Sequence, residues 1–248
     1  MREFHDIPYG ENPSQKLDIY LPEADTFDVF LYFHGGGLTK GSKSSASASH
    51  QKYLTDCGIA FVSADYRLFP EAKYPDFITD AAVCSDWVLE NLPKYGNCRR
   101  FFLGGSSAGG YLSMMLCFDS RRLEAVGRSP DDFAGFIHDA GQPTAHYQCL
   151  EERGLDKRRV IVDESAPLYH VGLRREYPPM LFIVSDNDMQ NRYEQTELMI
   201  STLRHFEYDM SKISLRVMHG KHCRYDKEPA DDGNTVFSHI AADYIMSL

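Results

Sequence analysis

Arg100-Phe101-Phe102-Leu103, followed at once by Gly105-Ser106-Ser107-Ala108-Gly109, is the stretch that decides how this chain folds. The apolar run reads as a buried strand. The small residues after it let the backbone turn sharply without Cβ clashes. Tyr111-Leu112-Ser113-Met114-Met115-Leu116 then continues as an apolar helix. Strand, tight turn and helix around G-x-S-x-G form a nucleophile elbow, which holds a serine hydroxyl out beyond the sheet edge. Ser107 is that serine, and the turn predicts a strained backbone there.

The neighbouring segments repeat the strand-then-helix pattern. Leu17 to Leu21, Val29 to Phe33, Ile59 to Ala64, Phe136-Ile137, Met180 to Val184 and Ile213 to Met218 read as strands. A helix opens at Pro75-Asp76 and stops at Pro93, with Trp87 assigned to the core. Further helices cover Tyr193 to Phe206 and Val236 to Ile245. The alternation predicts an α/β fold, with a mostly parallel central sheet covered by helices on both faces. At 248 residues one domain over 1–248 is expected. Residues 142–177 break the alternation with Pro143, Gly154, Pro167 and Gly172. A segment this long without clear periodicity is often functional, and a short lid over the C-terminal sheet edge is expected.

Composition narrows the partners. The formal charge is −10, with 43% hydrophobic and 25% charged residues. That balance argues against nucleic acid and anionic membranes as partners. The basic clusters, Arg99-Arg100, Arg121-Arg122, Lys157-Arg158-Arg159 and Arg174-Arg175, are short and read as solvated faces. No apolar run approaches a membrane span, and Met1 to Asp6 lack the apolar core of a signal peptide, so a cytoplasmic location is expected. Six scattered cysteines without a C-x-x-C pair predict free thiols and no structural zinc. No metal or cofactor is expected, and a homo-oligomer remains compatible with the sequence.

The chemistry-bearing residues follow separate strands. His34-Gly35-Gly36-Gly37 comes directly after Phe33. Consecutive glycines let backbone N–H groups approach a developing oxyanion, and Gly36, Gly37 and Ala108 are the expected donors. A serine needs a base to take its proton. His219 and His222 both follow the last strand, and His222, in the turn Gly220-Lys221-His222, is the preferred base. The base needs a carboxylate partner. Asp186 and Asp188 both follow Val184; Asp188, further out on the loop, is preferred and Asp186 is the alternative. Leu38 is expected to shape the acyl side. Phe69, His146, Tyr147 and Tyr169 are candidates for the alcohol side, and Cys223 adjoins the base.

These motifs, together with Asp65-Tyr66-Arg67-Leu68-Phe69-Pro70-Glu71 and Tyr74-Pro75, resemble the esterase/lipase branch of the α/β-hydrolase superfamily. The resemblance is to its hormone-sensitive-lipase-like and small carbohydrate-associated members, and it covers nearly the whole chain. It implies a cofactor-free serine carboxylesterase with Ser107, Asp188 and His222 as triad, acting on a small-molecule ester. Ser106 stands where many relatives carry Asp, and Met189 where Pro is usual. Only about thirty residues precede His34, which predicts a reduced cap, an open site and short, acetyl-like acyl groups on small or sugar-like alcohols. An arylformamidase, an exopeptidase and a non-catalytic ligand receptor are the alternatives on the same fold. Thr39, where formamidases often carry an aromatic, and the retained His222 count against the first and last of these.

Overall fold

The computed structural model describes residues 1–46 and 48–248. Eight strands form one sheet: β1 (Arg2–Pro8), β2 (Lys16–Leu21), β3 (Thr26–Phe33), β4 (Ile59–Ala64), β5 (Asn97–Ser106), β6 (Gly135–Asp139), β7 (Met180–Asn187) and β8 (Ile213–Lys221). Their order is β1-β2-β4-β3-β5-β6-β7-β8. The β1–β2 and β2–β4 pairs are antiparallel and the rest are parallel. The helices are α1 (Ala48–Asp56), α2 (Asp76–Asn91), α3 (Ala108–Phe118), α4 (Arg121–Glu124), α5 (Tyr147–Glu152), α6 (Arg192–His205) and α7 (Val236–Ser247).

The period-two alternation of a strand buried on both faces sorts β3 cleanly. Val29, Leu31 and Phe33 enter one core with Phe77 and Ile78 of α2, Leu112 of α3 and Leu203 of α6. Phe30 and Tyr32 enter the other with Leu54 of α1 and Phe237 and Ile245 of α7. Helices therefore cover both faces, as the sequence predicts. All eleven residues of α3 are buried. Gly109 explains how this helix sits so tightly, because a Cβ there would lie 1.9 Å from the Phe33 carbonyl oxygen.

Several expectations need correction. β1 and α1 are elements that the apolar pattern did not reveal. β1 is a largely exposed edge strand, and α1 buries only His50, Leu54 and Thr55. Trp87 is half-buried against the core and not inside it. The last strand, β8, is an edge strand with Leu215 and Val217 exposed. Residues 142–177 hold α5 and a small apolar cluster of their own, Ala145, Leu150 and Ala166. The residues before His34 enter the sheet through β1 and β2, so they do not cover the sheet's C-terminal edge.

Strand order brings the chemistry together. β3 and β5 are neighbours with Phe33 opposite Gly105, so the glycine loop after β3 emerges beside Ser107. β7 and β8 are neighbours with Asn187 opposite Lys221, so Asp188 and His222 emerge together. All four loops leave the carboxyl ends of parallel strands, where open α/β sheets place their sites.

Candidate active site

Ser107 adopts φ +58° and ψ −109°, between the end of β5 and the first residue of α3. A non-glycine residue in this region costs on the order of 1–3 kcal/mol and persists only where its surroundings enforce it. Here the Ser107 N–H donates to the Asp139 carbonyl at 2.8 Å, and its carbonyl accepts from Tyr111 N–H at 2.9 Å. The turn leaves the hydroxyl 2.8 Å from His222 Nε2.

His222 Nδ1 lies 2.5 Å from Asp188 Oδ1. The Asp188 carboxylate has no exposed side-chain surface. Burial alone would raise its pKa. Hydrogen bonds from His222, Met189 N–H and Ser185 N–H outweigh burial and hold the carboxyl below its ordinary range. A carboxylate fixed in this way orients the ring with a proton on Nδ1, leaving Nε2 free to accept one. The two open alternatives separate on exposure. Asp186 pairs with His219 at 2.7 Å, with side chains 43% and 96% exposed, away from Ser107. His219 still belongs to β8.

The glycine loop is braced from below. The His34 ring stacks on Tyr66 at 4.5 Å, and the Tyr66 hydroxyl donates to the His34 carbonyl at 2.9 Å. Burial pushes the His34 ring down to about 4, so it is neutral at pH 7. Arg67 makes a bidentate pair with the fully buried Asp80 and locks the segment that carries Tyr66. Phe69 N–H donates to the Leu38 carbonyl at 2.9 Å. The Tyr66–Phe69 block thus holds the loop in place without lining the cleft at Ser107. Gly36 takes φ +120°, and a Cβ there would meet the Lys40 carbonyl oxygen at 1.9 Å. Among the described residues, the N–H groups of Gly36, Gly37 and Ala108 donate to no protein acceptor.

These groups wall a cleft of about 620 Å³ that includes Gly35 to Gly37, Ser107, Tyr147, Met189, His222 and Cys223. Not every sequence candidate reaches it. Leu38 is turned into the core by its left-handed backbone (φ +65°) and is fully buried, so it does not shape the acyl side. His146 is buried and accepts the Gln148 N–H as the N-cap of α5. Phe69 and Tyr169 do not line the cleft. Tyr147 does, with its hydroxyl over Gly37 where a Cβ would sit. Cys223 places Sγ 3.6 Å from His222 Nε2, and burial pushes its thiol well up, which disfavours the reactive thiolate.

The sequence reading missed a carboxyl pair behind the nucleophile. Asp139, at the end of β6, and Asp226 lie with Cys223 within 4.8 Å of one another. Asp139 accepts a hydrogen bond from the buried Tyr225 hydroxyl. Burial raises both carboxyls, Asp139 to about 6, with repulsion from Asp188 adding at Asp139 and repulsion from Asp139 adding at Asp226. No local spacing marks this pair, because its members lie 87 residues apart in the chain.

A family profile described as the α/β hydrolase fold matches residues 30–198, more than half of the chain and including the glycine loop, the elbow and Asp188. The chain belongs to the α/β hydrolase fold family. Within that family, it is 26% identical over 221 residues to esterase LipC of Mycobacterium tuberculosis, covering 80% of this chain and 54% of LipC. The chain thus spans about half the length of that relative. Among solved structures, a truncated carbohydrate esterase from gut microbiota superposes with a TM-score of 0.80 at 19% identity, over 100% of this chain and 96% of that one. The propionate-bound Est2 esterase of Thermogutta terrifontis gives 0.73 at 21% identity, over 97% and 92%. At such identities these two structures establish the fold alone. No helix among the described residues is long and apolar enough to cross a membrane.

Proposed function

We propose that this α/β hydrolase is a serine carboxylesterase acting on short acyl esters of small or sugar-like alcohols. The observation that carries the reading is the continuous line Ser107 Oγ, His222, Asp188, at 2.8 and 2.5 Å. In the first step His222 Nε2 takes the Ser107 proton as Oγ attacks the ester carbonyl. The oxyanion forms against the free N–H groups of Gly36, Gly37 and Ala108. The imidazolium, stabilised by Asp188, then returns its proton to the leaving alcohol. In the second step His222 activates a water that hydrolyses the acyl-enzyme, and Ser107 recovers its proton.

The open cleft supports the short-acyl part of the proposal. Tyr147 and Met189 border it, and β1 and β2 leave it uncovered. The short acid bound in the Thermogutta relative is in keeping with this size. The test is hydrolysis of p-nitrophenyl esters from acetate to decanoate by wild type and Ser107→Ala. Turnover concentrated on acetate to butyrate and abolished in the variant is expected. A preference for decanoate overturns the short-acyl reading. Turnover of amides but of no ester shifts the assignment to a formamidase or peptidase.

A further inference from the structure

Arg192, the first residue of α6, is only 3% exposed. A buried guanidinium is costly unless a carboxylate accompanies it. Here its hydrogen bonds go only to neutral acceptors: the Ala140 carbonyl, Gln142 Oε1 at 3.4 Å and Met189 Sδ at 4.0 Å. Asp188 is the nearby acid that acts on it, but that carboxylate is already engaged by His222 and two backbone N–H groups. Among the described residues, no carboxylate forms an ion pair with Arg192.

Arg192 forms part of the wall of a second cavity of about 530 Å³. Lys157, Arg158 and Arg159 line the same cavity, and no Asp or Glu does. Arg158 is held by Asp156 at 2.9 Å, and Lys157 lies 4.0 Å from Glu151. Arg159 makes no ion pair among the described residues. Such a concentration of cations is out of character for a chain of net charge −10. The cluster read from sequence as a solvated face is exposed, but it faces a built recess with a buried cation in its wall. This cavity shares Tyr147 and Met189 with the cleft at Ser107. The two cavities therefore adjoin at those two residues.

We propose that this cavity is a specificity subsite for an anionic group, a carboxylate or a phosphate, on the half of the ester that passes Tyr147 and Met189. Arg192 and Arg159 hold the anion, and Lys157 adds long-range attraction. The guanidinium fork matches either oxyacid in a bidentate pair. This inference rests on the esterase reading for its consequence in turnover, but the binding site stands on its own residues.

The test compares each anionic ester with a neutral partner of the same size. The probes are mono-p-nitrophenyl esters of dicarboxylic acids against p-nitrophenyl alkanoates, and acetoxybenzoates against acetoxybenzamides. The quantity read is the ratio of kcat/KM, anionic over neutral. A charged hydrogen-bonded pair favours the anionic ester by about 10- to 100-fold at the length that reaches the cavity. The ratio falls towards one in Arg192→Gln and in the exposed double variant Lys157→Ala/Arg159→Ala. A purely structural role lowers both rates and leaves the ratio unchanged, which overturns the proposal. A wild-type ratio at or below one at every length also overturns it, while leaving the esterase reading intact. If no ester is turned over, calorimetric titration of glutarate and of inorganic phosphate decides. Binding weakened about tenfold or more by Arg192→Gln supports the subsite and tells carboxylate from phosphate; no binding of either anion overturns it.

Discussion

Replacing Asp188 by asparagine separates the two acids that follow β7. The Asp188 carboxylate is fully buried and accepts from His222 Nδ1 at 2.5 Å, Met189 N–H at 2.7 Å and Ser185 N–H at 3.2 Å. An amide has one oxygen to offer these three donors. If its NH2 group turns to His222, Nδ1 must become the acceptor and the ring proton moves to Nε2. That nitrogen then cannot take the Ser107 proton. If the NH2 group turns the other way, it meets a backbone N–H and the charge that stabilised the imidazolium is still lost. The expected loss in kcat is about 10⁴-fold, or about 5.5 kcal/mol of barrier. Asp186→Asn disturbs a solvent-exposed pair with His219, and the expected change is less than about fivefold. Both are measured as kcat and KM on p-nitrophenyl acetate, with thermal melts to establish folding. Equal losses in the two variants, or an Asp188→Asn variant within tenfold of wild type, refute the relay.

Three further outcomes follow from the same geometry. Gly36→Ala drives a Cβ into the Lys40 carbonyl at 1.9 Å and displaces an oxyanion donor, so kcat drops by about 10²- to 10³-fold; Gly127→Ala, also at positive φ (+76°) but in open space, leaves kcat unchanged. Arg67→Ala removes the counter-charge of Asp80, a fully buried carboxylate left with donors only from Gln15 and the residue-67 N–H, and lowers stability by about 3 kcal/mol in denaturant titration; a melt identical to wild type contradicts this. The third outcome concerns pH. Asp139 has a folded pKa of about 6, raised above its unfolded value, so its contribution is fully present below the unfolded pKa of 3.8 and is lost as pH rises through 6. Asp139→Asn therefore narrows the loss of stability between pH 4 and pH 8, and parallel pH profiles for variant and wild type rule it out.

The sequence made the centre of this fold legible because parallel strands are buried on both faces. Val29 to Phe33 and Met180 to Val184 are apolar without interruption for that reason. Ser107, Asp188 and His222 could be found because each directly follows its own strand and the strands order them in space. β1 escaped because an exposed edge strand carries no apolar run, and α1 because it buries little. Leu38 was misplaced because its left-handed backbone sends the side chain inward, a turn that residue type does not announce. Asp139, Asp226 and Arg192 carry no local signal at all. Their significance comes from burial and from neighbours distant in sequence.

The central claim is that Ser107 forms the covalent intermediate. The most direct measurement is mass spectrometry of the protein after reaction with diethyl p-nitrophenyl phosphate, which phosphorylates an activated serine irreversibly. The account predicts one adduct per chain, on the peptide containing Ser107, with parallel loss of ester hydrolysis and no adduct in Ser107→Ala. Ester hydrolysis that persists without a Ser107 adduct, or an adduct on the neighbouring Cys223 instead, contradicts it.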